Sequence, residues 1–302
     1  MKADKIILVV SVFLCFLACG REDVPSTEDT VTVSLNISQE DVNTVGTKSM
    51  FPLDPKVENP IADIWVLQYD ELGQLCASDH QEKTPSLSIP DHEVTLKRRP
   101  TSTIVVFANV GDIAEDDYPW PATIALLRKS RMAVDESLDI TGGADPKRLY
   151  MVGETVLTAD KIQPEPGKTS INVMLSRLCC KLAVGVHQSG SEFHDIKVEI
   201  INAAKGFVVF PTVDSFKEIY VDNTYYTDYA EDGPQSVGSA RKYFYYYLYE
   251  NMNKDHQTKI QVTVTGKDGQ GRTRIFPITS HGELIRNTYY NVDLELQGSS
   301  GS

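Results

Sequence analysis

From residue 31 onward the chain alternates. In VTVSLNIS, Val31, Val33, Leu35 and Ile37 fall on one side of an extended backbone, and Thr32, Ser34, Asn36 and Ser38 on the other. A period of two is the mark of a strand half-buried against a core. Alternation or a short apolar run recurs in IADIWVLQYD (61–70), HEVTLK (92–97), STIVVFANV (102–110), IKVEII (196–201), YFYYYLYE (243–250), TKIQVTVTG (258–266) and TYYNVDLEL (288–296). These runs are rich in β-branched and aromatic residues and are separated by Gly, Pro, Asp and Asn, which predicts strands joined by turns. Lys267-Asp268-Gly269-Gln270 reads as a hairpin turn between 258–266 and 272–278. Only ATIALLRKSRM (122–132) predicts a helix, from Ile124, Leu127 and Met132. The expected fold is mainly β and of sandwich type.

The stretch INVMLSRLCCKLAVGVH (171–187) changes phase. Its apolar residues stand at odd positions first, Ile171, Val173 and Leu175, and then at even ones, Leu178, Cys180, Leu182, Val184 and Val186. A one-residue slip turns every side chain to the other face, so one flat strand cannot bury both sets on one side. Either a bulge near Ser176-Arg177 or a strand that leaves one sandwich and enters another accounts for the switch. We place a domain boundary there, with PEPGK (164–168) as the rigid turn leading in. Two tandem β-sandwich domains follow, 31–176 and 177–298, each of ordinary domain size.

The N-terminus changes the compartment. Lys2 and Lys5 precede the apolar run Ile6 to Leu17, which is shorter than the roughly 20 residues a membrane-spanning helix needs. Leu17-Ala18-Cys19-Gly20 then resembles the lipobox of bacterial lipoproteins. That resemblance implies cleavage between Ala18 and Cys19, removal of residues 1–18, and an N-acyl, S-diacylglycerol group (palmitate among its acyl chains) on Cys19. Residues 19–30 are polar and contain proline, as a tether between lipid and fold would be, and 299–302 form a short tail.

Charge excludes some functions. With 29 basic and 42 acidic residues the net charge is −13, a surface that repels nucleic acid and anionic headgroups. Cys76, Cys179 and Cys180 make no CxxC pair and no zinc spacing, and neighbours on a strand point to opposite faces. The chain has no GxSxG elbow and no HExxH pair. Pro166-Gly167-Lys168-Thr169 imitates the end of a phosphate loop, but Ile162 occupies the position of its first glycine. His80, His92, His194, His256 and His281 fall in predicted loops or at strand ends, and only His187 falls inside a strand. Asp116-Asp117 and Glu231-Asp232 read as solvated loop charges, and His194-Asp195 as a turn. No catalysis, no metal, no small-molecule substrate and no cofactor beyond the covalent lipid are expected. Tyr243, Tyr245, Tyr246, Tyr247 and Tyr249 could stack on sugar rings, against the alternative of core and cross-strand packing.

Five segments carry a family resemblance: DIWVLQYDELGQL (63–75), TIVVFANVGD (103–112), SRLCCKLAV (176–184), YLYEN (247–251) and LIRNTYYNVDLEL (284–296). In this order, behind a lipobox, they resemble the fimbrillins, the lipoprotein-derived pilins of Bacteroidetes-type (type V) fimbriae. The resemblance implies two transthyretin-like β-sandwiches, no catalysis, a place in cell adhesion and virulence, and assembly with stalk subunits by strand exchange. It also implies that stalk subunits are cut by an arginine-specific protease behind the first strand and carry a C-terminal donor segment. Here no arginine lies between Arg21 and Arg98, Lys48 is the one basic residue near the expected cut, and only Gln297 to Ser302 follow Leu296. The chain therefore resembles most the anchoring subunit at the base of a fimbrium, lipid-anchored in the outer membrane, surface-exposed and possessed of a family role in limiting fimbrial length. Arg21, Glu22 and Asp23 resemble a surface-export signal. How an uncut subunit opens to a stalk subunit does not follow from the sequence; displacement of the first strand (Val31–Ser38), short and edge-like in sequence, is one route. The alternatives are a tip or accessory pilin and a surface glycan-binding lipoprotein.

Overall fold

The computed structural model describes residues 29–46, 60–111, 120–133, 149–162, 169–189, 193–204, 206–210, 225–226, 229–230, 235–236, 241–266 and 269–297. The strands of its first half are β1 (Thr30–Gln39), β2 (Asn43–Gly46), β3 (Ile61–Tyr69), β4 (Leu75–Ser86), β5 (Ile89–Lys97), β6 (Thr101–Ala108), β7 (Arg131–Ala133), β8 (Met151–Thr158) and β9 (Thr169–Arg177). Those of the second half are β10 (Cys179–Ser189), β11 (Phe193–Ile201), β12 (Ala203–Ala204), β13 (Gly206–Val208), β14 (Tyr225–Tyr226), β15 (Tyr229–Ala230), β16 (Gln235–Ser236), β17 (Arg241–Tyr249), β18 (Lys259–Gly266), β19 (Gly271–Pro277) and β20 (Thr288–Gln297). The α-helix α1 spans only Ile124–Lys129: the Thr123 side chain caps its start, and Ser130 turns extended and hands the chain to β7. The fold is mainly β.

Two buried cores organise these strands. The first belongs to a seven-stranded sheet of order β4-β3-β6-β8-β9-β1-β5, whose terminal strands β4 and β5 are consecutive in the chain. The second lies between a five-stranded sheet, β16-β17-β10-β20-β2, and a four-stranded one, β15-β11-β18-β19. The phase switch is a change of sheet. Ile171, Val173 and Leu175 of β9 point into the first core, and Cys180, Leu182, Val184 and Val186 of β10 into the second. Between them the Leu178 N–H donates to the Tyr150 carbonyl at 2.9 Å, and its side chain stays in the first core.

Three sequence expectations need correction. The first strand is not an edge. β1 runs parallel to β9 from Val33↔Thr169 to Gln39↔Leu175 and antiparallel to β5 from Thr30↔Lys97, so both its hydrogen-bonding sides are used. Val31, Val33, Leu35 and Ile37 are all in the core. Second, β4 and β8 were not foreseen. β4 is a mostly polar strand at the end of its sheet, and β8 carries Gly153 beside the Met174 carbonyl of β9, where a Cβ would collide with that backbone. Third, His80 and His92 lie inside β4 and β5 rather than in loops or at strand ends. β18 pairs antiparallel with β19, with Thr265 opposite Gly271, and Gly269 takes φ +71°; Lys267 and Asp268 of the expected turn lie outside the described residues.

β19 is the outer strand of its sheet, and its residues are exposed apart from half-buried Phe276. Register places Arg274 opposite Val262, which pairs with Val198, so Arg274 starts from the face that buries those valines. A charge directed inward from an edge strand discourages pairing with another chain. Arg274→Ile is expected to make the protein self-associate at concentrations where the natural chain is monodisperse in sedimentation velocity; unchanged sedimentation would contradict this role.

Candidate functional site

The segments that carry the family resemblance converge on the joints of the fold. In the first core, buried Gln68 donates to the Lys97 carbonyl (2.7 Å) and Ser102 Oγ (2.8 Å) and accepts from the Lys97 N–H, pinning the β5–β6 turn. Asn109 stands at φ +62°. It accepts from the Ala62 N–H and donates to the carbonyls of Pro60 and Leu149, which ties the starts of β3 and β8. Asp63 accepts from the Gly111 N–H at 3.0 Å, and Asp70 caps its own turn through Leu72 and Gln74.

The densest of these joints lies between the cores. Arg177, at the end of β9 and 6% exposed, donates through Nη1 to Asn287 Oδ1 at 2.6 Å and through Nη2 to Gln39 Oε1 at 3.2 Å. Asn287 takes φ +51°, a conformation asparagine tolerates better than most residues, and its N–H donates to the Cys179 carbonyl at 2.8 Å. Its Nδ2 donates to the Asp41 carbonyl at 3.0 Å and, at 3.4 Å, to Glu40 Oε2. The Asn43 N–H in turn donates to the Asn287 carbonyl, and β2 follows, pairing in parallel with β20. Residues 30–46 thus run inside the first sheet, between β9 and the end strand β5, and then along the rim of the second.

A second tie crosses in the other direction. Arg286 Nε donates to Glu250 Oε1 at 2.9 Å, Nη2 contacts the same oxygen and the Val208 carbonyl, and Nη1 donates to the Val209 carbonyl at 2.9 Å. β13 pairs with β7, and Val209 and Phe210 pack against the first core, so this buried ion pair holds a segment of the second half on the first. Asn251, 0% exposed, donates to the Asn202 and His256 carbonyls and to Thr258 Oγ1 and accepts from the Asn253 N–H.

The tyrosine strand belongs to the same joint. On β17, Phe244, Tyr246 and Leu248 enter the second core, whereas Tyr247 and Tyr249 enter the first. Tyr246 donates to the Val198 carbonyl at 3.0 Å. Lys181 lies 5.2, 5.4 and 5.9 Å from the ring centres of Tyr245, Tyr247 and Tyr289, within cation–π range. Tyr243 is also buried. With Tyr243, Tyr246, Tyr247 and Tyr249 buried and only Tyr245 half-buried, the packing reading of these residues is favoured over sugar binding.

Among the described residues no group of three His, Cys, Asp or Glu side chains could hold a metal. Cys76, Cys179 and Cys180 stand as thiols, and burial pushes the Cys180 thiol well up, away from the reactive thiolate form. Ala18, Cys19, Arg21, Glu22, Asp23, Lys48, Asp116, Asp117, Pro166 to Lys168, Glu231 and Asp232 lie outside the described residues, as does the His194 side chain. Sequence reasoning missed Gln39, Glu40 and Asp41 as partners of the Arg177–Asn287 pair. They are separated from it by well over a hundred positions, and nothing local marks them.

No family model matches the chain, and no curated protein matches it in sequence. Solved structures do match. The tip fimbrial protein Mfa3 from Porphyromonas gingivalis, with a C-terminal truncation, is similar with a TM-score of 0.60 and 13% identity, over 90% of this chain and 97% of that one. The fimbrilin FimA from Porphyromonas gingivalis gives 0.56 and 14%, over 88% and 90%. A fimbrial assembly protein from Parabacteroides distasonis gives 0.54 and 15%, over 90% and 94%. The likeness spans nearly the whole of each chain, and the fimbrillin fold implied by the five segments is present. At these identities the likeness is one of fold.

Proposed function

We propose that this chain is a fimbrial subunit, held in the outer membrane by a lipid on Cys19, that forms the base of a fimbrium and joins stalk subunits by strand exchange. On this reading it acts in adhesion through the fibre it carries and has no catalytic role. The observation that carries it is the setting of β1. The strand that continues from the lipobox segment is hydrogen-bonded on both sides in the first sheet, with Leu35 0% exposed. The first arginine behind it is Arg98, which lies beyond β5 and whose Nε is bound to Asp29 Oδ2 at 2.9 Å. A cut there would detach β1 to β5 and dismantle the first core, so an arginine-directed cut behind the first strand is incompatible with a folded subunit. We read the two cores as tandem sandwich domains divided at Ser176-Arg177, with β2 and residues 206–210 crossing over between them.

A tip or accessory pilin is the second reading, favoured by the likeness to the tip protein Mfa3. Cys19→Ser separates the two. For a base subunit the variant leaves the outer membrane and fibres are shed into the medium. If fibres stay attached to cells while the Cys19→Ser protein is found in sheared fibres, the base reading fails and the tip reading stands.

A further inference from the structure

His92 takes no part in the joint between the cores. It is buried in β5, where its register partner is Leu35 of β1. β4 and β5 are the two ends of the seven-stranded sheet, and Lys83 of β4 reaches across to His92, with Nζ 3.1 Å from Nδ1. An ammonium group only donates, so Nδ1 accepts and the ring is the neutral tautomer with its proton on Nε2. Nε2 is enclosed and has no hydrogen-bond partner. Lys83 is steadied by Gln81 Oε1 at 2.7 Å, and Gln81 donates to Asp79 Oδ2 at 3.1 Å.

The ladder beside this pair is irregular. The β1–β5 register slips between Leu35 and Ile37, and Asp91 takes φ +52°. Side chains hold the chain there. The Asp91 N–H donates to Asn36 Oδ1 at 3.1 Å, Ser34 Oγ donates to Asp91 Oδ1 at 3.5 Å, and Gln39 Nε2 donates to the Leu87 carbonyl at 3.2 Å. The far end of β1 is therefore held through residues 87–91, at the start of β5 and in the turn that links it to β4.

We infer that His92 and Lys83 form an acid-sensitive latch that closes the β4–β5 seam at neutral pH and releases it, with the far end of β1, when His92 takes up a proton. Protonation turns Nδ1 from an acceptor into a donor facing an ammonium group, and it leaves a cation in a site with no acceptor for Nε2. Asp79 is the one carboxylate that favours the charged ring, and it is outweighed. Burial first, and Lys83 second, hold the His92 pKa below its ordinary 6.5. The sign follows. The open seam, with a ring of ordinary pKa, binds more protons than the closed one, so the latch is fully effective above about pH 6.5. Its contribution falls as pH drops below that value toward the closed-state pKa. The inference rests on the first core alone and does not depend on the fimbrial reading.

Hydrogen exchange of the full chain at pH 7 and pH 5, corrected for the intrinsic chemical rate, tests it. Amides of residues 35–39 and 89–94 should open up to about twenty-five-fold more often at pH 5 than at pH 7, the ceiling for one proton bound with an open-state pKa near 6.5. Amides of β10 and β17 should not respond. His92→Phe should abolish the acceleration, and Lys83→Met, which removes the repulsion, should shrink it several-fold. Lys83→Met also serves if His92→Phe does not fold. Absence of acceleration in the natural chain, or an unchanged acceleration in either variant, would overturn the latch.

Discussion

Replacing Glu250 with alanine should destabilise the protein by about 3–5 kcal/mol, the usual cost of stripping one partner from a buried ion pair. The Glu250 and Arg286 side chains are 2% and 11% exposed, so water cannot replace the lost carboxylate. The orphaned guanidinium would keep only the Val208 and Val209 carbonyls, neither of which carries a full charge. Because those carbonyls belong to the segment that pairs with β7, the damage should spread to the contact between the halves. The melting temperature should fall by about 6–15 °C for a chain of this size. The double variant Glu250→Leu, Arg286→Met should recover much of the loss, since a well-packed apolar pair does not carry the desolvation cost. Equilibrium denaturation of the two single variants and the double variant measures this. A Glu250→Ala cost under about 1 kcal/mol would mean that the pair behaves like an exposed one.

Leu35→Ala in β1 should cost about 2–5 kcal/mol, as for any large aliphatic side chain removed from a packed core. Val45→Ala in β2 should change stability by no more than about 0.5 kcal/mol, because Val45 is 45% exposed at the rim of the second sheet. The contrast bears on assembly. If a stalk subunit displaces β1, it must replace the burial of Val31, Val33, Leu35 and Ile37 with its own side chains, so an incoming strand needs the same alternation. If Leu35→Ala and Val45→Ala cost the same, β1 is held no more firmly than the rim strand.

The strands legible in the sequence were those with one wet face. β1, β18 and β20 announce themselves because Val33, Val262 and Leu294 alternate with polar neighbours. β3, buried along nearly its whole length, was legible through its aromatic and β-branched content. β4 was not, because an end strand has little to bury and its LCASDHQEKTPS carries no period. The phase switch at 176–178 was legible as a conflict, and the structure resolves it as a change of sheet. The five segments pointed to a fold, and one residue in each, Gln68, Asn109, Arg177, Glu250 and Asn287, proves to be a joint of that fold. What sequence could not supply was the other half of each joint. Gln39 and Asp41 meet Arg177 and Asn287, and Lys83 meets His92, only because the topology brings distant strands together. For Tyr247 and Tyr249 the packing reading holds, but alternation on a strand shows two faces and not that each face meets a different core.

The central claim is that the lipid on Cys19 stays joined to a fold that retains β1. Intact mass of the natural protein extracted from outer membranes tests it most directly. The account predicts a chain beginning at an acylated Cys19 and continuous through β1. A product without lipid that begins after Lys48 or Arg99 would contradict it.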